Sequence, residues 1–171
     1  MFKPNLAIIG PNKSINHAVG ELLSQELQLH FLEFDLLIEW EENLPIFDIV
    51  QDYGSEHFYK LEKKHIRKLD TFDGTLITTS ATTIMDEQNA LKLSEFCTLI
   101  LLSSDSSTVL KRMREDQTQH LKSNILARSR EFFANINTNI KPLADIFVDT
   151  TARSPGIIKD IVIEKMLGEV N

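Results

Sequence analysis

Residues 5–20, with the sequence NLAIIGPNKSINHAVG, constrain the fold of this chain more than any other segment. Residues 6–9 form a continuous apolar run, as expected of a central parallel strand that is covered on both faces. The dipeptide Gly10-Pro11 is typical of a turn, and apolar residues then recur at helical spacing from Ala18 onwards. The segment therefore predicts a strand, a tight loop and a helix, which is the usual setting of a phosphate-binding loop.

The phosphate-loop motif itself, G-x-x-x-x-G-K-[ST], is only partly present. Counting from Gly10, the second glycine falls on Ile15, the lysine on Asn16 and the hydroxyl residue on His17. Ile15 puts a branched side chain where glycine lets backbone N–H groups close on phosphate oxygens. Asn16 lacks the positive charge of the lysine, and His17 has no hydroxyl group for Mg²⁺. Lys13 lies three residues too close to Gly10 to fit the motif, although it remains an alternative phosphate ligand.

Length and composition predict one globular domain. The chain has 171 residues, of which 42% are hydrophobic and 25% are charged, as in an ordinary globular protein with a proper core. The net charge of −7 argues against nucleic acids and anionic membranes as partners. No apolar run approaches the length of a membrane span, and the N-terminus lacks the apolar region of a signal peptide, so we expect a cytoplasmic protein. The single cysteine, Cys97, lies in an apolar run and is expected to be a buried, inert thiol.

Short apolar runs alternate with helical patterns along the whole chain. Strands are predicted over residues 6–9, 30–34, 75–79, 97–102 and 146–148. A first helix is predicted from the first loop to about residue 27, and two short helices are predicted to begin at residues 36 and 46. Further helices are predicted over 55–68, with Ser55 as N-cap, over 86–96 and over 107–115, and a last helix begins at 154. Residues 116–138 are polar and helix-prone. This alternation predicts an α/β protein with a five-stranded parallel sheet.

Several short landmarks carry a resemblance to a known family. They are GP and AVG within residues 10–20, EFD at 33–35, GSEHFYKLE at 54–62, the strand and loop at 75–83, and KPL at 141–143. In this order and spacing the chain resembles shikimate kinase, within the nucleoside-monophosphate-kinase-like group of folds, from residue 6 to about residue 167. The resemblance implies a three-layer α/β/α fold with strand order 2-3-1-4-5, as one domain over residues 1–171, with a lid around residues 112–125.

The resemblance also assigns roles to the nucleotide half of a site. Arg112 falls on the arginine that stacks on adenine, and Gln119 falls on the lid arginine. The family's phosphate-loop positions coincide with those counted above from Gly10. The nucleotide-binding positions are therefore Gly10, Lys13, Asn16, His17 and Arg112.

In the substrate half, the resemblance places Asp35 on the aspartate that hydrogen-bonds the shikimate hydroxyl groups and can accept a proton. Glu33 falls on the carboxylate that helps to hold Mg²⁺. Tyr59 and Ile140 fall on the two arginines that grip the shikimate carboxylate. The substrate-pocket positions are Glu33, Asp35, Tyr59, Ser80, Ala81, Thr82, Gln119 and Ile140, of which residues 80–82 replace a glycine triplet.

Each of these residues also has a purely structural interpretation. Asp35 follows a strand, where aspartate is a common N-cap, and we favour that role over a catalytic base. Glu33 alternates with apolar neighbours and is equally a residue of a solvated face. We expect His17 to be an exposed polar side chain and Tyr59 to be a packing aromatic with its hydroxyl at the pocket rim. Arg112 lies in a basic stretch that is also typical of a solvated helix face.

The replacements predict a change of function. Phosphoryl transfer depends on positioning and charge stabilisation, and one transition-state arginine is worth about 10³–10⁵ in rate. We therefore expect a shikimate-kinase-like protein without shikimate kinase activity, which binds a small molecule or a protein partner and needs no cofactor or metal. The alternative is an ATP-dependent kinase for shikimate or another acceptor, which uses Mg-ATP, with Lys13 as phosphate ligand and Asp35 as base. A third hypothesis is a phosphate-loop enzyme that a partner chain completes with an arginine.

Overall fold

The computed structural model describes residues 3–79, 81–105, 107–108, 111 and 134–168. Five strands in this part of the chain form one sheet in the order β2-β3-β1-β4-β5, and every neighbouring pair is parallel. The predicted five-stranded parallel sheet and the strand order implied by the resemblance are confirmed. The strands are β1 (Asn5–Ile9), β2 (His30–Glu33), β3 (Thr75–Thr78), β4 (Cys97–Ser103) and β5 (Ile146–Asp149).

Helices cover both faces of this sheet. The described α-helices are α1 (Lys13–Leu27), α2 (Phe34–Glu42), α3 (Ile46–Tyr53), α4 (Ser55–Ile66), α5 (Ala81–Met85), α6 (Glu87–Phe96) and α7 (Pro155–Gly168). Short 3₁₀ turns lie at Leu69–Thr71 and Lys141–Leu143, and a π-helical turn lies at Ile136–Ile140. The predicted helix over residues 107–115, the helix-prone segment after it and the lid around 112–125 fall largely or wholly outside the described residues.

The alternation of side chains along β1 divides the core into two layers. Leu6 and Ile8 pack with α1 and α7, whereas Ala7 and Ile9 pack with the layer that contains α2 to α6. All five residues of β1 are buried, which confirms the central, doubly covered strand that its apolar run predicts. The result is a three-layer α/β/α domain.

Helix α1 lies close to the sheet because of Gly20. A Cβ atom at this position would lie 2.7 Å from Phe31 Cε2 and 2.7 Å from Thr78 Cγ2. Side chains of β2 and β3 therefore occupy the space that any larger residue would need. This contact fixes the height of α1 above the strands whose carboxyl ends carry the candidate site.

The predicted N-cap of α4 is wrong. Ser55 is the first residue of α4, and the N-cap is Gly54, with no side-chain hydrogen bond at the cap. Gly54 has φ +85° and is also the C-cap of α3, so one residue makes the whole turn between the two helices. Glycine adopts this left-handed backbone readily, whereas serine does not.

In the part of the chain that the structure describes, no helix is both long and apolar enough to cross a membrane.

Candidate functional site

The candidate site lies where the strand order changes direction. β1 is flanked by β3 on one side and β4 on the other, and the chain returns to each through a separate crossover. In open parallel sheets, ligands bind outside the carboxyl ends of the strands at such a switch point. Here the turn at residues 10–12 leads from β1 into the N-terminus of α1.

The N-terminus of α1 is capped within the chain. Asn12 is the N-cap, and its side-chain oxygen accepts a hydrogen bond from the backbone N–H of Ile15 at 2.9 Å. The backbone N–H of Asn16 donates to the carbonyl oxygen of Asn12 at 3.0 Å. The helix therefore begins at Lys13, two residues before the position of the motif's second glycine. The N–H groups of residues 15 and 16 already have acceptors.

Asn16, at the lysine position of the motif, is buried beneath the turn. Its side-chain Nδ2 donates to the carbonyl oxygen of Gly10 at 3.1 Å and to that of Thr79 at 3.4 Å. Gly10 itself packs tightly, because a Cβ atom there would lie 2.3 Å from the carbonyl oxygen of Leu102. The amide of Asn16 thus ties the turn after β1 to the end of β3.

Two pairs of opposite charge connect α1 with the end of β2. Lys13 Nζ lies 2.8 Å from Asp35 Oδ2, and His17 Nδ1 lies 2.8 Å from Glu33 Oε1. Lys13 and His17 are four residues apart and so share one face of α1. Burial alone lowers the pKa of Lys13, but the carboxylate of Asp35, with help from Glu33 and Glu39, raises it above its ordinary value. Lys13 is therefore an ammonium at neutral pH.

The structure corrects two of the structural roles expected for the acids. Asp35 is not an N-cap, because β2 ends at Glu33 and the helix begins at Phe34, which places Asp35 inside the first turn. Its carboxylate instead faces Lys13. Glu33 is not on a solvated face, since its side chain is only 17% exposed and contacts His17. The side chain of His17 is 45% exposed, as expected of a surface polar residue, but it has a carboxylate partner.

The remaining predicted positions are not members of these two charge pairs, and three of them lie outside the described residues. Tyr59 on α4 is 37% exposed and lies beside the ring of Phe58, with 6.3 Å between the ring centroids. Ile140 is fully buried in the apolar layer between the sheet and α6. The backbone of Ala81 and Thr82 belongs to α5. Ser80, Arg112 and Gln119 lie outside the described residues.

The sequence analysis missed a buried glutamate near this edge of the sheet. Glu62 is 1% exposed, and its carboxylate accepts a hydrogen bond from the hydroxyl of Thr83 at 2.6 Å. The helical spacing in the sequence indicated its burial, because Glu62 is four residues after Phe58 and so lies on the predicted core face of α4. Among the described residues, no group of three or more His, Cys, Asp or Glu side chains is placed to hold a metal ion.

Fold and site together define the class of this protein. A five-stranded parallel sheet in this order, with a strand, a turn and a helix at its switch point, is the architecture of the P-loop kinases. The model of the family described as shikimate kinase matches residues 15–167. The chain belongs to the shikimate kinase family.

Individual relatives agree with this assignment. The chain is 30% identical to a shikimate kinase of Persephonella marina over 88% of this chain and 92% of the relative. It is 25% identical to a shikimate kinase of Sulfurihydrogenibium sp. over 95% of this chain and 97% of the relative. The crystal structure of shikimate kinase from Aquifex aeolicus is similar in fold, with a TM-score of 0.85, 22% identity and coverage of 97% and 98% of the two chains. Shikimate kinase from Acinetobacter baumannii, in complex with shikimate, has a TM-score of 0.86, 18% identity and coverage of 98% and 94%.

Proposed function

We propose that this member of the shikimate kinase family has a degenerate phosphate-binding loop, lacks shikimate kinase activity and acts by binding a small molecule or a protein partner. The observation that carries the proposal is the position of Asn16. It stands where the motif has its lysine, and its buried amide bonds to the turn itself instead of carrying a positive charge to a phosphate.

The backbone around Asn16 supports the same conclusion. A phosphate-binding loop offers several free N–H groups to the phosphate oxygens. Here the N–H groups of Ile15 and Asn16 are both engaged by Asn12, because the helix begins early. The branched side chain of Ile15 stands at the position where the motif requires glycine.

The distribution of charge supports it as well. Asp35, which the family uses on the hydroxyl groups of shikimate, is paired with Lys13. The two positions of the carboxylate-binding arginines carry Tyr59 and the buried Ile140. Loss of these two arginines removes the specific means of binding the shikimate carboxylate. An arginine that stabilises the transferring phosphoryl group is worth about 10³–10⁵ in rate, so loss of the motif's lysine at Asn16 and of the lid arginine at Gln119 leaves a very slow kinase.

A second function has one observation in its favour. In the alternative, the protein is an ATP-dependent small-molecule kinase in which Lys13 binds phosphate and Asp35 accepts the proton of the acceptor. These two side chains do meet at the carboxyl edge of the sheet, with 2.8 Å between Lys13 Nζ and Asp35 Oδ2, in a chain of a kinase family. This alternative requires Lys13 to leave Asp35 when Mg-ATP binds.

An assay of shikimate-dependent ADP release separates the two functions. We expect no turnover above background with saturating Mg-ATP and shikimate. Turnover near about one per second, in the ordinary range of enzymes, would overturn the proposal. The alternative further predicts that Lys13→Ala abolishes any ADP release, while Lys92→Ala, at an exposed lysine of α6, leaves it unchanged.

A further inference from the structure

We propose that a cavity between α4 and α6 binds a free α-amino acid, whose carboxylate is held by Arg67 and whose ammonium group is held by Asp70 and Asn89. The cavity is separate from the candidate site, since its lining lies wholly within the described residues and includes none of the predicted site residues. The inference therefore goes beyond the proposed function and does not depend on it.

The cavity has room for a small molecule. Its volume is about 440 Å³, within the usual range of about 300–1,000 Å³ for small-molecule sites. Residues 63, 66 and 67 share one face of α4, and residues 88 and 92 share one face of α6, because they are spaced by three or four residues. These two faces and the 3₁₀ turn after α4 form the walls, with the lining Lys63, Ile66, Arg67, Asp70, Gln88, Asn89 and Lys92.

Two of the three basic side chains in this lining are already paired. Lys63 Nζ lies 2.7 Å from Oδ2 of Asp86, the N-cap of α6, and the ammonium of Lys92 is paired with the carboxylate of Glu95. The guanidinium of Arg67 differs from them, because it has no ion pair or hydrogen bond to any described residue. One positive charge at the cavity is therefore left for a ligand.

The single acid of the lining, Asp70, is likewise left without a partner. In the part of the chain that the structure describes, no ion pair or hydrogen bond involves its carboxylate, although Arg67 is only three residues away. Both side chains are exposed, so a ligand in the cavity can reach both. The cavity thus presents one free positive group and one free negative group side by side.

A buried amide adds a third polar group to the wall. Asn89 is 3% exposed, and its Nδ2 donates to the carbonyl oxygen of Thr83 at 3.2 Å. This bond fixes the orientation of the amide, and its Oδ1 atom accepts no hydrogen bond from a described residue. Polar atoms of buried residues are nearly always hydrogen-bonded, so an acceptor without a donor at the wall of a cavity marks a place for a donor of the ligand.

The kind of ligand follows from these three groups. A simple anion would pair with Arg67 but would be repelled by Asp70, and a simple cation would meet the reverse arrangement. An α-amino acid carries a carboxylate and an ammonium group on one carbon atom. The carboxylate matches the planar fork of the guanidinium, which binds it with two parallel hydrogen bonds. The ammonium group has three donors, which suit the carboxylate of Asp70 and the amide oxygen of Asn89.

A calorimetric binding panel tests this inference. The probes are L-alanine, L-leucine, L-glutamine and L-phenylalanine, each with its α-amide, which lacks the carboxylate, and its N-acetyl derivative, which lacks the ammonium group. Inorganic phosphate serves as a simple anion. We expect at least one amino acid to bind with a dissociation constant of about 1 mM or tighter, and both of its derivatives to bind at least about tenfold more weakly.

Variants assign the binding to the named side chains. Arg67→Gln and Asp70→Asn each remove one charge, and we expect each to lower the affinity for the amino acid at least about tenfold. The matched controls are Lys60→Gln on α4 and Asp73→Asn before β3, two exposed residues outside the lining, and they leave the affinity unchanged. All four changes are at exposed positions, and circular dichroism spectra check that the variants fold.

Three results would overturn the inference. The first is that none of the four amino acids binds at concentrations up to about 10 mM, whether or not phosphate binds. The second is that the α-amide or the N-acetyl derivative binds as tightly as the parent amino acid. The third is that Arg67→Gln or Asp70→Asn binds the amino acid as tightly as its control. The proposed function is decided separately by shikimate-dependent ADP release, because these variants leave the residues of the candidate site unchanged.

Discussion

Replacement of Lys13 by methionine tests the contact that most distinguishes this site. Methionine keeps the apolar stem of the lysine, so the change removes the ammonium group and little of the packing. The side chain of Asp35, which is 12% exposed, then loses the partner of its Oδ2 atom. Its Oδ1 atom has no hydrogen-bond partner in the described structure even in the wild type. The variant therefore isolates the cost of an unpaired, buried carboxylate.

The magnitude follows from the exposure of the two side chains. Exposed ion pairs contribute about 0–1 kcal/mol, and breaking a fully buried pair costs about 3–5 kcal/mol. The side chain of Lys13 is 40% exposed and that of Asp35 is 12% exposed, so the pair lies between these limits. Solvent screening at Lys13 lowers the value, and we expect Lys13→Met to reduce the free energy of unfolding by about 1–3 kcal/mol at pH 7.

Urea denaturation followed by circular dichroism measures this change. The midpoint should fall with an unchanged slope, and adding Asp35→Asn should restore about 1 kcal/mol, because the unpaired charge is then removed. The raised pKa of Lys13 means that its contribution is fully present below its ordinary pKa of 10.5 and is lost as the pH rises through the higher folded-state value. The difference between the wild type and Lys13→Met should therefore shrink in strong alkali. A loss below about 0.5 kcal/mol at pH 7, no greater than that of Lys92→Met on α6, would refute this reasoning.

Three further predictions concern the framework around the site. Gly20→Ala gains about 1 kcal/mol in helix propensity but forces a Cβ to 2.7 Å from the ring of Phe31, so thermal denaturation should show a net loss of stability of up to about 2 kcal/mol. The control is Gly156→Ala, where a Cβ would have no neighbouring atom within 4 Å, and it should show no loss. Equal melting temperatures for Gly20→Ala and the wild type would contradict the close approach of α1 to the sheet. Asn12→Ala removes the N-cap and should cost about 1 kcal/mol in urea denaturation; no loss would mean that the helix begins elsewhere. Burial raises the pKa of Cys97 to about 12, so this thiol should react with a disulfide reagent at pH 8 only after denaturation, and rapid labelling of the native protein would place it at the surface.

The sheet could be predicted from the sequence because its strands are buried on both faces. Runs such as residues 6–9 and 97–102 are apolar without alternation, and this pattern is typical of central parallel strands. The helices between them have separate apolar stripes, so the alternation of elements was readable as well. The order of the strands depends on crossovers that no local pattern encodes, and it came from the resemblance to a family.

The ends of elements were harder to predict, since several neighbouring residues can start a helix. Asp35 and Ser55 both have suitable capping side chains, but each lies inside the first turn of its helix. For α4 the backbone of Gly54, with φ +85°, decides where the helix begins. The actual cap of α1, Asn12, has the expected residue type but lies within the loop that the phosphate motif would occupy.

The contacts within the candidate site could not be predicted from local patterns. Lys13 and Asp35 are 22 residues apart, and they meet only because α1 and β2 pack side by side. The sequence identified both as candidates but gave no reason to pair them. Glu62 was hidden for a different reason, since a charged residue on an apolar face is normally assigned to solvent.

The binding of Mg-ATP to the purified chain tests the central claim most directly, and isothermal titration calorimetry measures it without any assumption about the acceptor. Because Asn16 lacks the charge of the motif's lysine and Asn12 engages the N–H groups of residues 15 and 16, we predict no binding tighter than about 1 mM. A dissociation constant of about 1–10 μM, with ADP released when shikimate is added, would contradict it.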